Sequence, residues 1–168
     1  MSSAEQYVRT EYPVIDADPH FNRVVRYMRG SDLVAWGGLT AAAPATLLAF
    51  ERIRPAAGPK GINFALGIAT TLGFMGGFLY SYQKSSLRFW GWEENTRELA
   101  KNREEIAARQ AAGLSVYGEP TMDENSQAAS ARNSKYAAVK FGAIPWFNTT
   151  NHKYHVADST NTAKSENE

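Results

Sequence analysis

Cysteine is missing from all 168 residues, and histidine occurs only three times. That excludes a disulfide framework, a thiolate zinc site, a cysteine-ligated iron–sulfur cluster and a cysteine nucleophile. An excess of charge is missing too: 18 Lys and Arg face 17 Asp and Glu, leaving a formal net charge of +1. Such a balance argues against a protein that holds nucleic acid electrostatically. No nucleophile elbow, phosphate loop or paired-carboxylate arrangement is present. Gly73-Phe-Met-Gly-Gly77 lacks the spacing, the preceding strand and the later acidic residue of a dinucleotide fingerprint. The length suits one ordinary domain, and a mean hydropathy of −0.41 averages out as soluble.

Charge is also missing locally, and here the average misleads. From Leu33 to Gln83 the only charged residues are Glu51, Arg52, Arg54 and Lys60, all within one interval that also holds Pro55, Gly58 and Pro59. Two uncharged runs flank that interval, Leu33–Phe50 with 18 residues and Gly61–Gln83 with 23. As helices they would span roughly 27 and 35 Å, against a hydrocarbon core of about 30 Å. Two buried helices of a soluble domain would tolerate Gly61, Gly67, Gly73, Gly76 and Gly77 poorly, at up to ~1 kcal/mol each against Ala. In lipid the backbone has no water to turn to, and such residues are accommodated. The pattern predicts two membrane spans, at about 33–50 and 61–83. Their polar content is Thr40, Thr46, Asn63, Thr70, Thr71, Ser81 and Gln83. The absence of an ionisable group inside either run argues against a pump or transporter working alone.

Small residues recur every four positions in both runs: Gly37, Ala41, Ala45 and Ala49, then Ala65, Ala69, Gly73, Gly77 and Ser81. Such stripes let helix backbones approach closely in lipid. The two stripes face each other in a hairpin, or one faces a partner's helix; the sequence leaves both open.

Residues 1–32 form an N-terminal segment. Asp18-Pro19 reads as an N-cap and first helical position, followed by Phe21, Val24, Val25 and Met28 at helical spacing. Arg23, Arg26 and Arg29 are interspersed, Gly30 ends the turn and Ser31 offers a cap for the first span. A short basic amphipathic helix beside a membrane helix predicts an interfacial segment, with an ordinary protein-docking helix as the alternative. Residues 84–112 open with Arg88, Trp90 and Trp92, an expected anchor at the headgroup level. A charged helix over about 96–112 follows, started by an Asn95/Glu98 capping box and stopped by Gly113. Over 113–168 periodicity fails, yet Tyr117, Tyr136, Phe141, Trp146, Phe147 and Tyr154 persist. Disordered chain is usually poor in aromatics. The expectation is therefore an extended, irregular tail that docks on a partner surface, with Trp146, Phe147, His152 and His155 as its contacts. The fold class is a mainly α membrane protein built on a transmembrane helical hairpin.

His152 and His155 stand three apart, but no Cys, carboxylate or further His nearby completes a metal site, so packing or hydrogen bonding is the expected role. Asp16 and Asp18 are close, with Asp18 assigned to capping. Asn148-Thr-Thr150 matches a glycosylation sequon. No catalytic, cofactor-binding or metal-ligating residue is expected.

These residues together resemble a known family. Tyr12-Pro-Val-Ile-Asp-Ala-Asp-Pro-His-Phe-Asn-Arg-Val-Val-Arg26 is similar to the opening of the fungal 21 kDa accessory subunits of mitochondrial NADH:ubiquinone oxidoreductase, respiratory complex I. Gly77-Phe-Leu-Tyr-Ser-Tyr-Gln83 and Ser85-Ser-Leu-Arg-Phe-Trp-Gly-Trp-Glu-Glu-Asn95 resemble the end of the same module. Arg132-Asn-Ser134, Pro145-Trp-Phe-Asn148, Asn151-His152 and His155 resemble its C-terminal module, with Val156 standing where a Gly is expected. The resemblance implies a supernumerary subunit without catalytic residues or a cofactor of its own. Its partners would be membrane-arm and neighbouring subunits and the lipid bilayer, with no nucleic acid and no small-molecule substrate.

It implies the mitochondrial inner membrane, with import through internal signals, since Glu5, Arg9 and Glu11 fit neither a transit peptide nor a secretory signal. Two spans put both termini on one side, expected to be the matrix. The competing reading is a two-span tether or scaffold of another organelle, for which a glycan on Asn148 would be the mark.

Overall fold

The computed structural model describes residues 10–56, 58–137, 139–140 and 144–155. Among these the elements are α1 (Phe21–Arg26), α2 (Gly30–Ile53), α3 (Pro59–Phe89), α4 (Thr96–Ala111) and α5 (Glu124–Ser134). A short antiparallel ladder of β1 (Val139–Lys140) and β2 (Ile144–Pro145) follows, with Val139 opposite Pro145 and Lys140 opposite Ile144. Val156 lies outside the described residues.

α2 and α3 form the predicted hairpin. Their 24 and 31 residues correspond to about 36 and 46 Å, and both are long and apolar enough to cross a membrane. Large apolar side chains point outward along both, among them Val34, Leu48 and Phe50 on α2 and Phe64, Leu72 and Phe74 on α3. The hydroxyls of Thr40, Thr46, Thr70 and Thr71 bond back to carbonyls four residues earlier, so none is left an orphan donor on an apolar helix.

The two helices touch closely because glycine lets them. A Cβ on Gly77 would lie 2.8 Å from the Trp36 carbonyl oxygen, and one on Gly73 would lie 2.9 Å from that of Leu39 and 3.0 Å from that of Thr40. Pro44, inside α2, has no N–H for the Thr40 carbonyl, and Gly73 stands against that same oxygen. The Trp36 indole donates across the pair to the Phe74 carbonyl at 3.0 Å, and Ser81 Oγ donates to the Asp32 carbonyl at 2.8 Å.

α3 extends past its expected end at 83, and the basic, aromatic stretch after it is helical up to Phe89. It closes with a left-handed Gly91 (φ +74°), Gly91 N–H on the Arg88 carbonyl and Trp92 N–H on that of Leu87. Only glycine fits there: a Cβ would also meet the Tyr12 carbonyl at 2.2 Å.

The helix starts are corrected in detail. α1 begins at Phe21 with His20, not Asp18, accepting from the Asn22 N–H. α2 begins at Gly30, where Asp32 rather than Ser31 receives the N–H of the preceding cap residue, Arg29, at 2.8 Å. Asn95 does precede α4, but its amide donates to the Pro13 and Arg88 carbonyls, and Glu98 turns to Arg29 instead of to the cap.

At the hairpin's open end, away from the α2–α3 connection, α1, α4, α5 and the segments between them gather into one head. Asp32 at the start of α2 and Arg88 at the end of α3 are 2.6 Å apart, so both hydrophilic flanks leave the hairpin at the same end. The head's core is Val24, Tyr27, Tyr82, Phe89 and Trp90, with Phe21, Phe78 and Phe147 packed on it.

Candidate functional site: a clasp between the two ends of the chain

The most densely satisfied polar site is built on Asp16-Ala17-Asp18, every residue of which is at most 2% exposed. The segment lies along the end of α3, held by the Ile15 and Asp16 N–H groups on the Phe89 carbonyl. Asp16 accepts from the Asp18 N–H through Oδ1 and from Arg23 through Oδ2, each at 2.9 Å. Asp18 Oδ2 accepts from Ser134 Oγ and pairs with His152 Nε2, both at 2.6 Å.

His152 Nδ1 accepts from the Tyr154 N–H at 3.1 Å, so Nε2 carries the ring proton and donates it to Asp18. His155 Nδ1 lies 3.2 Å from Asp16 Oδ1, and since a carboxylate only accepts, Nδ1 is protonated. The two imidazoles stack at 4.2 Å, and Tyr117 stacks on the other face of His155 at 4.2 Å. Burial, with the nearby Asp16 charge adding to it, raises the Tyr117 phenol. Backbone bonds complete the clasp: Ala17 N–H to the His155 carbonyl, Tyr136 N–H to that of Ala17, and Phe21 N–H to that of Asn148.

Among the described residues, no three His, Asp or Glu side chains converge in a way that could hold a metal ion. Each imidazole faces one carboxylate, a pattern for fixing chain position. Asn148 is buried, and the amide nitrogen a glycan would use donates to the Asp18 carbonyl at 3.0 Å. A glycan on Asn148 is incompatible with this fold.

The basic residues of the N-terminal segment meet acids of the same chain. Arg29 pairs with Glu98 (2.6 Å) and Glu94 (3.0 Å), and Arg26 pairs with Glu105 (2.7 Å), which also accepts from the Tyr27 hydroxyl (2.6 Å). Arg23 reaches Asn102 as well as Asp16. The Glu98 and Glu94 bonds hold the Arg29 guanidinium above its ordinary range, against burial. Arg88 and Trp90, read from sequence as headgroup anchors, are buried inside the head at 3% and 7% exposure, whereas Trp92 is exposed. Arg88 is instead the partner of Asp32.

The small-residue stripes separate. Ala65, Ala69, Gly73, Gly77 and Ser81 line the α3 face turned toward α2. Gly37, Ala41, Ala45 and Ala49 are all exposed, and α2 meets α3 through Asp32, Trp36, Thr40 and Ala43 instead. In the tail, Phe147 packs edge-on to Phe21 and Tyr82, and Trp146 remains 39% exposed. The tail's contacts at Phe147, His152 and His155 are thus with its own chain.

Sequence reading missed α5. Its signal was Asp123, whose carboxylate caps the Asn125 and Ser126 N–H groups. Asp16, Ser134, Asn148 and Tyr117 were missed as a cluster, because nothing local joins them.

Residues 9–94 match the family described as NADH-ubiquinone oxidoreductase complex I, 21 kDa subunit. Residues 103–166 match the C-terminal of the NADH-ubiquinone oxidoreductase 21 kDa subunit. The clasp therefore joins the two matched regions: Asp16 and Asp18 come from the first, Ser134, Asn148, His152 and His155 from the second. The chain is also 43% identical, over 90% of its length and 81% of the relative's, to the NADH-ubiquinone oxidoreductase 20.9 kDa subunit of Neurospora crassa. The chain belongs to the family of complex I 21 kDa subunits.

Proposed function

We propose that the protein is a non-catalytic accessory subunit of mitochondrial complex I, held in the inner membrane by α2 and α3 against the membrane arm, and supporting assembly or stability of the complex. The observation that carries this reading is the outward stripe Gly37, Ala41, Ala45 and Ala49, left uncovered while α3's stripe is consumed inside the hairpin. Small residues on a lipid-exposed face favour close approach of another helix. The buried acids and imidazoles of the head are committed to one another, which leaves them a role in holding the head together. Both flanks emerge at one end of the hairpin, and we place that end on the matrix side, with Trp92 and the exposed Arg26 near the headgroups.

The test is to replace Gly37 and Ala41 with Leu and follow the tagged protein on native gels of mitochondrial membranes. Wild type is expected to comigrate with the whole complex, and the double variant to be displaced from it while its hairpin still forms. Comigration of the double variant overturns the assignment of this face. Wild-type protein migrating only as a free species overturns membership of the assembled complex.

A further inference from the structure

A cavity of about 330 Å³ opens into the head between α1, α4 and the segments around Tyr117 and Asn151. Three guanidinium groups line it, Arg23, Arg26 and Arg109, against two carboxylates, Asp16 and Glu105. Both carboxylates are already paired with arginine. Asp16 takes Arg23, His155 and a backbone N–H, and Glu105 takes Arg26 and the Tyr27 hydroxyl. Arg109 uses Nε on the Ser115 carbonyl at 2.8 Å, and its two terminal nitrogens have no partner among the described residues. The wall therefore carries one uncompensated positive charge and unfilled N–H donors.

Two further features mark the cavity as built. His155 lines it, is 1% exposed, and its Nε2 is buried without a hydrogen-bond partner. Since Nδ1 holds the proton toward Asp16, Nε2 is an acceptor in the neutral ring and a donor in the charged one. Buried polar atoms without partners are rare enough to demand an explanation. Opposite, Gly118 is left-handed (φ +88°), and a Cβ there would stand 2.7 Å from the Asn151 amide nitrogen, so glycine lets that wall close up.

We propose that this cavity binds a phosphate monoester. Its anionic oxygens suit the guanidinium fork of Arg109 with Arg26 beside it, and its remaining hydroxyl suits an accepting Nε2. The volume exceeds that of a bare phosphate and admits a small polyol attached to it. α1 rests on the last turns of α3, with Ser85 Oγ donating to the Val24 carbonyl at 2.9 Å, so the cavity sits beside the span's end. Phosphate could therefore arrive as a lipid headgroup or as a soluble ester.

The full chain in phosphatidylcholine nanodiscs, titrated with glycerol 3-phosphate, tests the soluble source. Nanodiscs containing phosphatidic acid test the lipid source. The readout is thermal unfolding of the head, and a saturable rise with one probe names the source. Arg109→Gln is expected to weaken the response about tenfold or more, the loss of a charge-assisted hydrogen bond. Arg97→Gln, on α4 but outside the cavity, is expected to respond as wild type. Should Arg109→Gln fail to fold, Arg109→Lys keeps the charge without the fork and is expected to bind more weakly than wild type. No shift with either probe overturns the proposal, as does an undiminished response in the folded Arg109 variant.

Discussion

His152 donates its ring proton to Asp18 across 134 positions of sequence, at 2.6 Å and with both side chains at most 2% exposed. The bond ties the last described segment of the tail to the residues that introduce α1. Removing the imidazole by His152→Ala leaves a buried carboxylate with Ser134 as its one remaining side-chain donor among the described residues. The expected cost is roughly 2–4 kcal/mol, since a buried charged acceptor loses one of its donors. Denaturant unfolding of the full chain in detergent would read it, alongside faster amide exchange around Asn148. An unchanged midpoint would show that the clasp adds nothing to stability.

The hairpin supplies a second prediction, in which glycine position decides the outcome. Gly77→Ala places a methyl 2.8 Å from the Trp36 carbonyl oxygen and 2.9 Å from its ring, so the helices must separate. Gly67→Ala meets open space. The first is expected to lower hairpin stability by about 1–3 kcal/mol, the usual range for overpacking, and the second to leave it near wild type. Intramolecular energy transfer between labels on the two helices, measured through detergent denaturation, separates them. Equal stability of the two variants would refute close packing at Gly77.

The hairpin was legible because charge is expelled from 33–50 and 61–83, a signal spread over many residues. The end of α4 was legible from Gly113, whose left-handed φ of +66° suits glycine, whereas its start falls after Asn95 without the capping box that Asn95 and Glu98 suggest. α5 was not, because the side it buries is Gln127, Ala131 and Ser134, which form no apolar stripe for a period to reveal. The clasp was illegible for a different reason. Local rules offer Asp18 a capping role beside Pro19, whereas its partners His152 and Ser134 come from the far end of the chain. The same limit affected Arg88, which a membrane rule assigns to headgroups although tertiary structure gives it Asp32.

That pairing yields a third prediction. Arg88 and Asp32 are 3% and 2% exposed, and Asp32 also accepts from the Arg29 N–H. Arg88→Met strands a buried carboxylate and is expected to destabilise the chain by roughly 3–5 kcal/mol. Asp32→Asn in the same chain removes the stranded charge while keeping an acceptor for Arg29, and should recover part of the loss. The comparison of single and double variants by denaturant midpoint checks this. A double variant no more stable than Arg88→Met would show that the lost energy came from packing of the arginine stem.

Acid and base should weaken the head for separable reasons. Burial would raise the Glu105 carboxyl, but the Tyr27 hydroxyl and the Arg23 and Arg26 charges outweigh it and hold it below its ordinary 4.5. The side-chain and backbone bonds from Thr96, with Arg29 added, depress Glu94 to about 2. A depressed carboxyl contributes stability above its unfolded value and loses it on acidification, so both contributions fade as pH drops below 4.5. Tyr27 is shifted the opposite way: burial first, then its bond to Glu105, push it from 10.0 to about 12. A raised group contributes fully below its unfolded value, so this part is lost as pH climbs from 10 through about 12. Unfolding midpoints in detergent across pH should therefore fall on both limbs. Glu105→Gln should blunt the acid limb, because it removes a proton-binding difference between folded and unfolded chain. Tyr27→Phe should blunt the alkaline limb by the same logic, and an acid limb equally steep in Glu105→Gln would exclude Glu105 as its source.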